Sequence, residues 1–102
     1  YGNFAPVLEH KGVQLNTGNN TMTYNGSHIE LSKNEYRILL ILMQNKGKVV
    51  SQEKLMEALW ETDSFVDENT LTVNVGRLRK KLESAGVKNF IATKFGVGYI
   101  LE

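Results

Sequence analysis

The opening third of the chain alternates short apolar pieces with turn residues: Val7-Leu8, Val13-Gln14-Leu15, Met22-Thr23-Tyr24 and His28-Ile29-Glu30-Leu31. A period of two puts one set of side chains on a common face, so the alternation predicts strands. Asn25-Gly26 falls between two of these pieces. Both central positions of a type I′ turn need positive φ, which Asn and Gly tolerate best, and a tight hairpin is expected there. The pieces together predict a small antiparallel sheet over about 7–31.

The period then changes. Ser32-Lys33-Asn34-Glu35 matches a capping box, in which Ser32 accepts from the Glu35 amide while the Glu35 side chain reaches back. Tyr36, Leu39, Leu40 and Met43 follow at helical steps, with Ile38 and Leu42 beside them, until Lys46-Gly47 ends the run. Such a stripe is core rather than a cofactor site. After Val49-Val50, Ser51 can cap a second, short helix whose apolar side is Leu55, Met56, Leu59 and Trp60. The acidic stretch 61–68 reads as a loop. A third helix, about 69–85, repeats Leu71, Val75, Leu78 and Leu82 on one narrow face, which is expected to be buried. At about 100° per residue, Thr70, Val73, Asn74, Arg77, Lys80, Lys81 and Ser84 fall opposite, with Thr72 and Arg79 at the flank. Ala85-Gly86 stops the helix. Phe90-Ile91-Ala92-Thr93 and Tyr99-Ile100-Leu101 then predict two strands, joined by Lys94-Phe95-Gly96-Val97-Gly98, whose two glycines suit a tight hairpin tip. The helices thus occupy about 32–85 and the hairpin about 90–102.

Length and composition narrow the chemistry. With 102 residues, 41% hydrophobic and 23% charged, the chain reads as one soluble domain spanning 1–102. No apolar run reaches the roughly 18 residues of a membrane span, and the start lacks the order of a signal peptide. Zero cysteines remove disulfides, thiolate nucleophiles and Cys-ligated zinc, which fits a cytoplasmic location. His10 and His28 lack metal-ligand spacing and read as surface residues. No phosphate-binding glycine loop is present, and Gly96-Val97-Gly98 is too short for a dinucleotide fingerprint. The acidic stretch lacks the alternating order of a calcium loop. No catalytic residue, metal or cofactor is expected, and the chain does not read as an enzyme.

Charge distribution points to a partner. Residues 1–68 carry six basic and nine acidic side chains, a balance of −3, whereas 69–102 carry six basic and two acidic, a balance of +4; together these give the net +1. The asymmetry suggests an anionic partner on one face. A short helix, a loop, a longer amphipathic helix with Arg77, Arg79, Lys80 and Lys81 outward, and a glycine-tipped hairpin make an α+β helix-turn-helix with a wing. Such a helix fits the DNA major groove, where an arginine fork can read guanine, a small apolar side chain such as Val73 can touch a thymine methyl, and lysines meet phosphates. The competing reading is a protein-interaction module whose basic helix docks an acidic partner.

Residues 29–101 resemble the winged-helix effector domain of OmpR/PhoB-type two-component response regulators. The carrying motifs are Leu31-Ser32-Lys33-Asn34-Glu35-Tyr36, Gly47-Lys48-Val49-Val50-Ser51, the stretch 55–60, Val75-Gly76-Arg77-Leu78-Arg79-Lys80-Lys81-Leu82 and Thr93-Lys94-Phe95-Gly96-Val97-Gly98-Tyr99. The resemblance implies a four-stranded N-terminal sheet, three helices and a C-terminal wing, with the third helix as recognition helix. It implies base contacts from Val73, Arg77 and Asn74, and phosphate contacts from Trp60, Asn69, Thr70, Arg79, Lys80, Thr93, Lys94 and Tyr99. The sequence departs from the usual pattern at Asn69, where many members carry an arginine, at Thr72 and Asn74, which replace an Asp and a His, and at Phe95, which replaces the minor-groove arginine of the wing. The string Asn69-Thr70-Leu71-Thr72-Val73-Asn74-Val75 is more similar to the branch that responds to bacitracin, nisin and related peptides. The loop 61–68 corresponds to a segment that faces RNA polymerase. Further implied are a receiver domain and sensor kinase in a longer protein, of which this chain is the C-terminal half, and binding as a dimer to double-stranded DNA at direct repeats, the isolated domain being a monomer.

Overall fold

The computed structural model describes residues 7–18, 20–60 and 66–101. Four short strands open the chain: β1 (Val7–His10), β2 (Val13–Asn16), β3 (Thr21–Tyr24) and β4 (Ser27–Glu30). They pair antiparallel in chain order. The turn between β3 and β4 has Asn25 at φ 55° and Gly26 at φ 85°, the two positive angles that the Asn-Gly pair was expected to supply. Register aligns Leu8 with Leu15, Leu15 with Met22, and Met22 with Ile29. A row of apolar side chains therefore crosses all four strands on the face turned to the core, and Leu15 and Met22 at its centre are fully buried.

Helix α1 (Lys33–Gln44) starts in the complete capping box: the Glu35 amide donates to Ser32 Oγ, and the Ser32 amide donates to Glu35 Oε1. Its burial is broader than one stripe. Ile38, Leu39, Leu42 and Met43 are buried, while Tyr36 and Leu40 only partly so, because α1 packs against both later helices and two strands. Helix α2 (Gln52–Trp60) is capped by Ser51, whose Oγ accepts from the Lys54 amide. Leu55 and Leu59 enter the core, but Trp60, the last residue of α2 and expected to pack there, is 66% exposed. Helix α3 (Glu68–Ser84) buries Leu71, Val75, Leu78 and Leu82 as its periodicity requires. Residues 61–65 of the expected acidic loop lie outside the described residues.

The C-terminal sheet has three strands rather than two. Besides β6 (Ile91–Lys94) and β7 (Gly98–Leu101), a two-residue strand between α1 and α2, Val50–Ser51, pairs with the far side of β7, so in chain order it is β5. This pairing corrects the reading of Gly98. Its φ is not in the positive region, and it is not a tip residue; a Cβ there would sit 1.9 Å from the Val50 carbonyl oxygen. Glycine is required because the β5 backbone passes directly over it. The tip is a tight turn in which the Val97 amide donates to the Lys94 carbonyl, with Gly96 at φ 79° and Phe95 90% exposed. The arrangement as a whole is an α+β winged helix-turn-helix: sheet, three helices, wing.

Candidate nucleic-acid interface

Asp67 begins α3 as its N-cap, its Oδ1 accepting from the Thr70 amide at 2.8 Å and from the Thr70 hydroxyl at 2.9 Å. The first of these bonds is the main reason the Asp67 carboxyl titrates below the ordinary aspartate range, and the hydroxyl bond adds to it. Beyond the cap, α3 presents Asn69, Val73, Arg77 and Lys80 to solvent opposite the buried stripe, with Thr72 exposed at its flank. A Cβ added at mid-helix Gly76 would meet no described neighbouring atom within 4 Å.

The flanks are more occupied than the helical angles suggested. Lys81, expected outward, turns back: its ammonium lies 2.5 Å from Glu35 Oε1 and donates to the Glu30 carbonyl at 2.9 Å. Glu35 is buried, and one of its oxygens thereby serves both the capping box and the ion pair. Asn74, also expected on the open face, is only 6% exposed and its Nδ2 donates to the Thr70 carbonyl at 2.8 Å. It lines a groove together with Ser32, Lys33 and Asn34 at the start of α1. On the opposite flank the Arg79 guanidinium donates through Nη2 to the Ile91 carbonyl and to Thr93 Oγ1, and lies 5.8 Å from the Tyr99 ring centroid. Tyr99, on the middle strand β7, is 5% exposed.

Of the residues expected at phosphates, Trp60, Asn69, Lys80 and Lys94 are exposed. Thr93 is half-buried, and its hydroxyl accepts from Arg79, which leaves its own hydrogen to donate elsewhere. Thr70 is in the reverse state, with amide and hydroxyl both donating to Asp67. Trp60 stands apart from the α3 groove, beside Glu53, Met56, Glu57 and Val66, and its Nε1 donates to the Val66 carbonyl at 3.4 Å. The fold therefore brings Asn69, Val73 and Arg77 together with Lys33 around one groove of about 610 Å³. Lys33 carried no signal in the sequence beyond its place in the capping box, because its proximity to α3 comes from the packing of distant segments.

The family described as "Transcriptional regulatory protein, C terminal" matches residues 26–101. The chain belongs to this family, the OmpR/PhoB-type domains. These are the DNA-binding effector parts of bacterial two-component transcription regulators. The sensory transduction protein BceR of Halalkalibacterium halodurans is 45% identical over 89 residues, covering 87% of this chain and 38% of that protein. The chain spans less than half the length of such curated relatives. The C-terminal domain of the nisin resistance regulator NsrR, a lantibiotic response regulator, superposes with a TM-score of 0.78 at 45% identity, over 92% of this chain and 95% of that one. The DNA-binding domain of the response regulator AdeR, solved in complex with an intercistronic region, superposes with a TM-score of 0.83 at 28% identity, over 92% and 97% of the two chains. Among the described residues, no helix is long and apolar enough to cross a membrane.

Proposed function

We propose that residues 1–102 form one effector domain that binds double-stranded DNA sequence-specifically, with α3 in the major groove, Val73 and Arg77 at base edges, and backbone contacts from Asn69, Lys80, Thr93 and Lys94. The observation that carries this reading is the outer face of α3, where Val73, Arg77 and Lys80 project from a helix whose opposite face is locked into the core. A rigid backing holds such side chains in register with base edges, and the Arg77 fork suits guanine O6 and N7. Asn74, Thr70, Tyr99 and Trp60 meet DNA only if their present bonds or packing give way; Arg79 acts chiefly by holding the hydroxyl of Thr93.

The same proposal extends to a longer protein acting in the bacterial cytoplasm. A receiver domain and sensor kinase precede this domain in the signalling order, two copies bind direct repeats while the isolated domain is monomeric, and the acidic loop 61–68 faces RNA polymerase. Similarity to BceR and NsrR favours a signal from envelope-active peptides. No cofactor or metal enters this function, and the domain performs no catalysis.

Selection from random duplexes followed by titration tests the reading. The chain is expected to enrich a defined half-site, and Arg77→Ala to cost about 1–3 kcal/mol while relaxing preference at one base pair. Absence of binding at low salt, for the domain and for a tandem of two copies, would sink it in favour of docking to an acidic protein.

A further inference from the structure

We propose that Lys33, at the start of α1, is a further backbone contact, meeting a phosphate on the DNA strand opposite the one that passes the wing. The inference rests on the placement of α3 in the major groove argued above. A helix with its side chains is about 10–12 Å across and the major groove about 12 Å wide, so an inserted helix fills the groove and a phosphate backbone runs along each flank. On the wing flank, Thr93 and the exposed Lys94 lie on β6 and are assigned to one strand. On the other flank the protein wall is Ser32, Lys33 and Asn34, facing Asn69 and Arg77 across the groove of about 610 Å³. Among the described residues, no carboxylate lines this groove.

Three features make Lys33 the cation of that wall. Lys81, which the helical angles also direct toward this flank, is consumed by Glu35 and the Glu30 carbonyl. Glu35, the nearest carboxylate along α1, is occupied by Lys81 and the Ser32 amide and is buried, so it does not hold Lys33. The Lys33 side chain is exposed and its ammonium has no hydrogen bond or ion pair among the described residues, so a phosphate would not have to displace a partner. A flexible ammonium that neutralises one phosphate adds sequence-independent affinity and fixes the approach of the helix without reading a base.

The test titrates the 102-residue chain, by fluorescence anisotropy over a range of salt, on its selected duplex and on an unrelated one. Lys33→Ala is compared with Lys33→Arg and with Lys11→Ala, which removes the same charge from the β1–β2 turn at the far side of the N-terminal sheet. Lys33→Ala is expected to weaken both duplexes by about three- to tenfold and to lower the slope of log K against log salt by about 0.9, the value for one phosphate. Lys33→Arg should restore both, and Lys11→Ala should change affinity less than about twofold, as a distant screened charge does. An unchanged slope for Lys33→Ala, or an equal loss in Lys11→Ala, overturns the contact; if Arg77→Ala still relaxes base preference in the same assay, the placement of α3 survives. Failure of the unaltered chain to bind either duplex strikes at that placement and removes the inference with it.

Discussion

Arg79 and Lys81 stand two positions apart on opposite flanks of α3, and both are tied into the protein, yet the ties leave different surfaces behind. Arg79 spreads a planar fork over the wing, bonding a β6 carbonyl and the Thr93 hydroxyl above the Tyr99 ring. Because Thr93 accepts in that bond, its own hydrogen is left to donate to a further partner, and the flank keeps polar function. Lys81 delivers a point charge to a buried carboxylate and a strand carbonyl, so its charge is spent inside the molecule. Of the four cations between 77 and 81, only Arg77 and Lys80 project from the outer face. A basic run on a helix thus overstates the charge offered to DNA, since long side chains at the flanks are as readily used to dock the helix as to meet a ligand.

Removing Glu35 should break the α1 flank most severely. Glu35→Ala strips the capping box of its return bond, leaves the Ser32 amide without a partner and leaves the Lys81 ammonium beside a cavity. Losing one partner of a buried pair costs up to about 5 kcal/mol, but the Lys81 side chain is 35% exposed and can turn to water, so about 2–3 kcal/mol is expected. Urea denaturation of the variant measures this directly. A loss under about 1 kcal/mol would mean the ion pair is no more than a surface contact.

On the wing flank the effect should be smaller and more local. Arg79→Ala is expected to cost about 1–2 kcal/mol and to speed amide hydrogen exchange in β6 more than in α1, since Arg79 bonds to Ile91 and Thr93. Arg79→Lys keeps the charge but loses the fork and the stacking, so it should behave like the alanine variant in exchange and in DNA affinity. Full DNA affinity in Arg79→Lys would instead make Arg79 a direct phosphate contact.

These differences mark what periodicity could and could not reveal. The hairpin at Asn25-Gly26, the Ser32 capping box and the Leu71, Val75, Leu78, Leu82 stripe were legible because each is decided by residues a few positions apart. Strand β5 was not, because two residues have no detectable period and become a strand only by pairing with β7. Gly98 was assigned to the tip for the same reason: the close approach of Val50 comes from a segment nearly fifty residues earlier in the chain. Asn74 and Lys81, expected opposite the stripe, lie by helical angle only about 70° and 90° from its centre, at the flank like Arg79 and Thr72, and the Glu30 carbonyl and Glu35 then hold Lys81 in. The buried face of α3 was therefore readable locally, while the limits of its open face were set by tertiary contacts.

The smallest expected effect lies at the start of α3, where Asp67 holds both donors of Thr70. Its carboxyl titrates below the ordinary range, chiefly because the Thr70 amide bonds to the ionised form. A folded pKa below the unfolded value means that the cap contributes stability above the unfolded pKa of about 3.9 and loses it as pH falls through the folded value. Asp67→Asn keeps an acceptor for the cap but does not titrate. Its melting temperature should fall slightly at neutral pH, and below about pH 4 its acid limb should be shallower than that of the unaltered domain, so that the two curves converge. The substitution also removes a negative charge from the end of the helix assigned to DNA, so affinity should rise modestly at low salt, and the gain should fade as salt screens the interaction. Melting curves by circular dichroism from pH 3 to 7 check the first expectation, and anisotropy at two salt concentrations checks the second. Parallel acid limbs would show that the Asp67–Thr70 bonds do not favour the ionised carboxylate, and unchanged affinity would place the start of α3 away from the phosphates, leaving the two flanks further along the helix to fix its position.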